Sequence, residues 1–129
     1  MILVDTSIWI EAYRKKSAIR IDDLVDFEEV VTCLPVIQEV LQGFRDERAY
    51  RTARDAMASL PIVESPMEES LFIEAAGLYR TARRQGLTVR SSVDCLIAAC
   101  ALRHDIPVFH KDRDFDLLAR ISALAVKTI

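Results

Sequence analysis

The sequence has 129 residues, of which 51% are hydrophobic and 29% charged. This composition is typical of a folded domain with a substantial core, and it excludes a disordered chain. The formal net charge of −3 gives no reason to predict nucleic-acid binding from overall charge, so such binding would need a local basic patch. We predict one domain over residues 1–129.

The number of cysteines and the hydropathy of the chain indicate the cellular compartment in which the protein is expected. The three cysteines are an odd number without paired spacing, which excludes a disulfide framework and fits a reducing environment. The N-terminal MILVDTSIWI lacks a basic region, and Asp5 interrupts its apolar run early, so we expect no signal peptide. No stretch approaches the roughly 18–20 apolar residues of a membrane helix. We therefore expect a cytoplasmic protein with no membrane partner.

The first half of the chain alternates apolar runs that favour strands with periodic segments that favour helices. Residues 2–4 predict a short buried strand that ends at Asp5, and Thr6 or Ser7 can cap the helix that follows. The later predicted elements are a short helix over 19–27, a strand over 30–33, a helix with Pro35 in its first turn, and a helix over 46–59.

The second half continues the alternation. Residues 65–68 (SPME) combine a cap, a proline and a glutamate in the order typical of a helix start, and Gly86 is the expected end of that helix. Ser91 or Ser92 opens the next helix, and Pro107 prevents its continuation. The remaining predicted elements are a strand at 108–109, a helix over 115–121 and a strand near 124–126.

Strands that alternate with helices predict an α/β fold with a central parallel β-sheet flanked by α-helices. Crossovers in such sheets are right-handed, so the carboxyl ends of the strands gather along one edge. Ligands bind in the crevice at that edge, which is where a functional site is expected.

Acidic residues stand where this architecture would bring them together. Each has an ordinary structural interpretation: Asp5 and Asp112 can cap helices, Asp94 and Asp114 suit the first turn of a helix, and Glu39 can be solvated. Together they are harder to explain, because carboxylates held close to one another repel and are costly to bury without partners. A divalent cation resolves the conflict.

The ligand types favour Mg²⁺, for which Mn²⁺ can substitute. Magnesium prefers oxygen ligands and keeps several waters, so a few carboxylates suffice. The sequence has no cluster of histidines and cysteines at the spacing of a zinc site.

Four ordered segments make the sequence resemble a known family. DTSIWI at 5–10, Glu39 within PVIQEVLQG, DCLIAA at 94–99 and HKDRDF at 110–115 are similar to the motifs of the PIN-domain family, above all its VapC-type toxins. Those toxins are the nuclease halves of toxin–antitoxin pairs. The resemblance covers essentially the whole chain in order and spacing.

The resemblance implies an Mg²⁺-dependent endoribonuclease that leaves a 5′-phosphate and a 3′-hydroxyl. It also implies a VapB-type antitoxin as partner and a homodimer. The family's catalytic acids correspond to Asp5, Glu39 and Asp94, and the fourth to Asp112 or Asp114. Both lie in HKDRDF, and we prefer Asp112 as the metal ligand, beside Asp5 and Asp94, because it comes first after the strand. We interpret Thr6 and Ser7 as groups that support the ligands.

RNA would need cations beside an acidic pocket. We favour Arg90, which lies four residues before a predicted ligand, Lys111, which precedes the fourth acid, and Arg14. Other arginines and lysines can form a solvated face that pairs with nearby acids, and they are Lys15, Lys16, Arg45, Arg48, Arg51, Arg54, Arg80, Arg83 and Arg84. His104 and His110 lack partners at catalytic spacing, and we assign them no chemistry.

Alternative functions remain open at this point. They are a PIN-like RNA-processing nuclease that is not a toxin, a receiver-like Mg²⁺-binding signalling module, and a binding module that kept the fold without activity. A receiver would need paired acids after the first strand, but Thr6 follows Asp5. An aspartyl-phosphate phosphatase would need a DxDx[TV] motif, which DTSIW does not match.

Overall fold

The computed structural model describes residues 1–14 and 20–129. Lys15, Lys16 and the predicted start of the second helix at Ile19 lie outside the described residues. In the described part of the chain the elements are β1 Ile2–Val4, α1 Thr6–Tyr13, α2 Ile21–Leu24, a 3-10 turn Phe27–Glu29, β2 Val30–Val31, α3 Leu34–Gln42, α4 Glu47–Ala58, α5 Glu69–Arg84, α6 Ser92–Arg103, β3 Val108–His110, α7 Arg113–Arg120 and β4 Val126–Thr128.

The sheet confirms the predicted α/β class. Its strand order is β2-β1-β3-β4, and each neighbouring pair is parallel. In the register of the central pair, Leu3 lies beside Val108 and Val4 beside Phe109. The ends of β1 and β3 therefore meet at one edge of the sheet, and the residues that follow each strand start close together.

One hydrophobic core holds the sheet and its helices together. Leu3, Val108 and Ile97 are fully buried in it, because both faces of a parallel sheet are covered by helices. Trp9 also belongs to this core, with only 3% of its surface exposed, and its Nε1 donates a hydrogen bond of 3.1 Å to the Val4 carbonyl. Trp9 is therefore a residue of the core.

Two helix starts differ from the sequence prediction. The cap of α1 is Asp5, which the sequence also allowed, and not Thr6 or Ser7. The helix predicted to start at residues 65–68 begins instead at Glu69. Glu64 has a φ of 56° and its carboxylate is held by Arg103 Nη1 at 3.2 Å and His104 Nε2 at 2.9 Å. These contacts tie the preceding segment to the end of α6, and they depend on residues that the local motif does not contain.

The remaining boundaries shift by a few residues. The predicted helix over 19–27 is the short α2 followed by the 3-10 turn, and the last strand lies two residues beyond its predicted start. Gly86 follows α5 with a φ of 75°, a conformation that glycine adopts without steric cost, as expected for the residue that ends a helix.

Candidate active site

The predicted acids converge at the edge where β1 and β3 end. The Asp5 N–H donates to the Phe109 carbonyl at 2.9 Å, which fixes the residue after β1 against the end of β3. Asp112 follows β3 and caps α7. Asp94 lies in the first turn of α6. The topology thus brings carboxylates that are far apart in sequence to one place.

Asp5 is held with one oxygen occupied and the other free. The residue is 2% exposed, and its Oδ2 accepts hydrogen bonds from Ser7 N at 3.0 Å and Ser7 Oγ at 2.6 Å. Oδ1 is buried without a hydrogen-bond partner among the described residues. Burial raises the pKa of Asp5, the Ser7 hydrogen bonds oppose that rise, and the charge of Glu39 adds to it.

Asp94 is the most strongly perturbed acid of the site. It is 5% exposed, and its Oδ2 is buried with no hydrogen-bond partner in the part of the chain that the structure describes. Burial, the neighbouring Asp114 and the charges of Asp5 and Asp112 raise its pKa to about 9. Without a cation, Asp94 therefore retains a proton at neutral pH, because a charged form here would face like charges in a poorly solvated place.

Asp112 and Asp114 sit in different environments, which the sequence could not distinguish. Asp112 is half-buried, and its Oδ1 accepts the Asp114 N–H at 2.9 Å. Asp114 is 1% exposed, and its oxygens accept the Arg90 N–H at 3.0 and 3.1 Å and the Ser91 N–H at 3.0 Å. The Asp114 carboxylate thus holds the backbone at the start of α6, the helix that carries Asp94.

A group of carboxylates has the spacing of a metal site. Among the described residues, one oxygen each from Asp94, Asp112 and Asp114 lies within 4.8 Å of the others. Asp5 is outside this group but close enough for its charge to act on Asp94. The expected ligands Asp5, Asp94 and Asp112 therefore share one region, with Asp114 drawn into it as well.

Glu39 and the two hydroxyl residues complete the arrangement. Thr6 Oγ1 donates to Glu39 Oε1 at 2.9 Å, so the first turn of α1 holds the acid of α3 beside Asp5. Ser7 Oγ donates to Asp5 and accepts the Lys111 N–H at 3.0 Å. Thr6 and Ser7 thus contact the acids directly.

A carboxylate that the sequence analysis missed lies near two of the expected cations. Glu11 Oε2 is 3.5 Å from Lys111 Nζ and 3.4 Å from Arg14 Nη1, and the Glu11 side chain is 18% exposed. Glu11 follows Ser7 by one helical turn, a spacing that places both on one face of α1. That spacing is the signal that could have found it. Arg90 contacts the site through its backbone N–H, which donates to Asp114.

The other basic residues are less closely tied to the acids. On α4, Arg51 lies 3.9 Å from Glu47 and Arg54 lies 3.6 Å from Asp55, as expected for a solvated helix face. Such exposed pairs contribute little to stability. On α5, Arg83 lies 5.8 Å from the centre of the Tyr79 ring.

The donor set fits a hard divalent cation. Within residues 1–14 and 20–129, Asp5 Oδ1 and Asp94 Oδ2 are buried acceptor atoms without hydrogen-bond partners, which is costly unless a cation or a proton satisfies them. The side chains that converge here offer carboxylate oxygens, the ligands that Mg²⁺ and Mn²⁺ prefer. Burial raises the pKa of Asp94 most and the neighbouring acids add to the rise, and such an ion would relieve the repulsion between these acids.

Comparison with known proteins matches this architecture to a family. Residues 2–121 match the PIN domain. The chain is 41% identical over 130 residues to ribonuclease VapC11 of Mycobacterium tuberculosis and to VapC ribonuclease Mb1587 of Mycobacterium bovis, with 96% of each chain covered. The solved structure of VapBC2 from Rickettsia felis, bound to a DNA fragment from its promoter, has a similar fold, with a TM-score of 0.78 at 18% identity over 100% of this chain and 99% of that one.

The sequence match and the fold agree over nearly the whole chain. The family match does not favour the receiver-like alternative, whose motifs the sequence also lacks. The chain therefore belongs to the PIN-domain family, among its VapC-type members.

Proposed function

We propose that this protein is a metal-dependent endoribonuclease and the toxin of a VapBC-type toxin–antitoxin pair. The observation that carries the proposal is a pair of buried oxygens, Asp5 Oδ1 and Asp94 Oδ2, which have no hydrogen-bond partner in the described part of the chain and lie beside further carboxylates at the sheet edge. Its 41%-identical relatives are named VapC ribonucleases, which supports RNA as the substrate.

Asp5, Asp94 and Asp112 would hold Mg²⁺, or Mn²⁺ in its place. When bound, the divalent ion would lower the pKa of a water nucleophile and neutralise charge on the scissile phosphate. Glu39 adds negative charge next to Asp5 and is close enough to act on its ionisation. In this assignment, Asp5 Oδ1 and Asp94 Oδ2 would be the oxygens that bind the ion.

The supporting residues keep these oxygens available. Ser7 donates to one oxygen of Asp5, and no other described residue donates to the second oxygen, Oδ1. Thr6 fixes the direction of the Glu39 carboxylate. We infer that Asp114 acts mainly by positioning Asp94, because its oxygens already accept the N–H groups of Arg90 and Ser91.

The basic residues at the rim would bind the RNA backbone. Lys111 is half-exposed, and its backbone and side chain both contact α1, through Ser7 and Glu11. Arg14, on the same Glu11 oxygen, is more exposed. Together they offer two cations close to the acids, a suitable arrangement for phosphates that approach a negatively charged centre. Arg90 is exposed and would extend this contact.

We propose a VapB-type antitoxin as the protein partner. Several structural neighbours are toxin–antitoxin complexes, among them VapBC-1 from nontypeable Haemophilus influenzae. A groove of about 830 Å³ between α1, α3 and α4 is suited to an apolar segment of such a partner. It is lined by Ile10, Tyr13, Arg14, Val40, Gly43, Phe44, Arg45, Asp46, Arg48, Ala49 and Thr52.

We further propose a homodimer that acts in the cytoplasm. On α5, Phe72 and Ile73 are 50% and 64% exposed, an apolar pair that a second copy of the chain could cover. Light scattering of the purified protein tests the dimer, and a monomer at all concentrations would contradict it.

The proposed location is a separate point. None of the described helices is both long and apolar enough to cross a bilayer.

The experiment that tests the activity is cleavage of labelled total RNA by the purified protein, with Mg²⁺ and with EDTA. We expect cleavage with Mg²⁺ and none with EDTA. Asp5→Asn and Asp94→Asn, which keep the shape but remove a ligand charge, should abolish cleavage while circular dichroism shows an intact fold. Wild-type rates in either variant, or full cleavage in EDTA, would overturn the assignment. Co-expression with a neighbouring antitoxin reading frame then separates a toxin from an RNA-processing nuclease, since only the toxin should be inhibited by it.

A further inference from the structure

A buried histidine contacts the acidic site without belonging to it. His110 is the last residue of β3 and is 1% exposed. Its Nδ1 lies 3.1 Å from the Asp112 backbone nitrogen in a hydrogen bond that the Asp112 N–H must donate. An imidazole nitrogen that accepts a hydrogen bond carries no proton at that atom, so this contact makes Nδ1 the acceptor and leaves the ring proton on Nε2.

The other ring nitrogen, Nε2, is buried without a hydrogen-bond partner among the described residues. His110 Nε2 lies 3.3 Å from Asp116 Oδ1, although the alignment is not that of a hydrogen bond. The ring also packs at 5.3 Å from the Phe115 ring, which limits its rotation. His110 is therefore held in one orientation by its neighbours on α7.

The hydrogen bond fixes the turn that carries Asp112. Two side chains accept the successive N–H groups of this turn, Ser7 Oγ for Lys111 and His110 Nδ1 for Asp112. Asp112 Oδ1 in turn accepts the Asp114 N–H. With its backbone and one of its oxygens fixed, Asp112 has little freedom to turn away from Asp94.

We propose that His110 is a positioning residue, whose Nδ1 accepts the Asp112 N–H and so holds Asp112 in the geometry needed for the divalent cation. This role rests on the proposed function, because it assumes that Asp112 helps to bind the ion. An apolar side chain of similar size would fill the same space but leave the Asp112 N–H without its acceptor. The turn could then move, and the carboxylate would lose its preorganised place beside Asp94.

The test compares the Mn²⁺ affinity of two His110 variants in the absence of RNA. Electron paramagnetic resonance of the unbound ion measures that affinity. In His110→Asn, the side-chain oxygen can take the place of Nδ1 as acceptor, whereas His110→Leu removes the acceptor. We expect His110→Leu to weaken Mn²⁺ affinity by about tenfold or more, and His110→Asn to restore most of it. His104→Asn, at the only other histidine of the sequence, is the matched control and should bind as wild type.

Several outcomes distinguish this proposal from the proposed function. Wild-type affinity in His110→Leu would overturn the role of His110 while leaving the metal site intact. Equal losses of Mn²⁺ affinity in His110→Asn and His110→Leu would also overturn it, since the acceptor oxygen of asparagine would then have no effect. Wild-type protein that binds no Mn²⁺ would refute the metal site and with it this role.

A second measurement covers the case in which His110→Leu does not fold. Nitrogen-15 NMR of the wild-type imidazoles distinguishes protonated from unprotonated ring nitrogens, and the His104 variant assigns the two rings. We expect Nδ1 to be the unprotonated ring nitrogen of His110, as its hydrogen bond from the Asp112 N–H requires. A protonated Nδ1 could not accept the Asp112 N–H and would overturn the proposal.

Discussion

Replacing Asp94 by asparagine should remove a specific pH dependence from the stability of the metal-free protein. Burial and neighbouring acids raise the pKa of Asp94 from 3.8 to about 9 in the folded state. A raised pKa means that the folded state keeps a proton which the unfolded chain releases. The stabilisation from this group is complete below pH 3.8 and is lost as the pH rises toward about 9.

The expected size follows from proton linkage. Between those two values the folded state binds one proton more than the unfolded chain, so the free energy of unfolding falls by about 1 kcal/mol per pH unit. Asparagine carries no titratable proton and removes this slope. The difference in stability between the variant and the wild type should therefore grow by about that amount for each unit.

The assay is urea unfolding in EDTA, followed by circular dichroism at several pH values from weakly acidic to weakly basic. Asp55→Asn is the matched control, because the Asp55 side chain is 77% exposed and its loss should leave the slope unchanged. Saturating Mn²⁺ should stabilise the wild type more than Asp94→Asn, since the ion replaces the proton in the folded site. A constant difference between Asp94→Asn and the wild type at all pH values would refute the reasoning.

Further predictions concern the fourth acid, the metal and the substrate. Asp112→Asn should lower Mn²⁺ affinity with little loss of stability, because asparagine also caps helices. Asp114→Asn should lower the free energy of unfolding by roughly 1–3 kcal/mol, because a neutral amide replaces the carboxylate that accepts the Arg90 N–H. Urea unfolding with Mn²⁺ titration checks both, and the reverse pattern would contradict the assignment. A metal concentration about 100-fold above its dissociation constant should raise the free energy of unfolding by about 3 kcal/mol, and an unchanged melting curve would count against binding. Calcium should bind but support little cleavage, because its coordination is larger and looser, and rapid cleavage with Ca²⁺ would oppose this. Lys111→Ala should raise the KM for RNA more than it lowers kcat, and an unchanged KM would exclude Lys111 from substrate binding.

Much of the fold could be predicted from local sequence signals. The apolar residues before Asp5 and before His110 predict the two central strands, because short buried strands of parallel sheets are continuously apolar. Their pairing then placed Asp5 and Asp112 at one edge. The convergence of the acids followed from topology, before any side-chain geometry was known.

The roles of individual acids could not be read in the same way. Asp114 holds Arg90 and Ser91, residues at least 23 positions earlier in the chain, through the packing of α7 against the start of α6. His110 lacked a sequence signal because its partner is the backbone N–H of Asp112, which every residue except proline offers. Local spacing indicates which side chains share a face, but not which oxygen is already occupied.

We propose that a divalent cation at the acidic site activates a water that hydrolyses RNA. The chemistry of the cleaved RNA ends tests this most directly. Purified protein is incubated with a labelled RNA and Mg²⁺, and the products are treated with a 5′-phosphate-dependent exonuclease and with a kinase that labels 5′-hydroxyls. We expect 5′-phosphate and 3′-hydroxyl ends that form only with the metal and not in Asp94→Asn. Products with 5′-hydroxyl and 2′,3′-cyclic phosphate ends would show attack by the RNA's own 2′-hydroxyl and would contradict it, as would the absence of cleavage of any RNA offered.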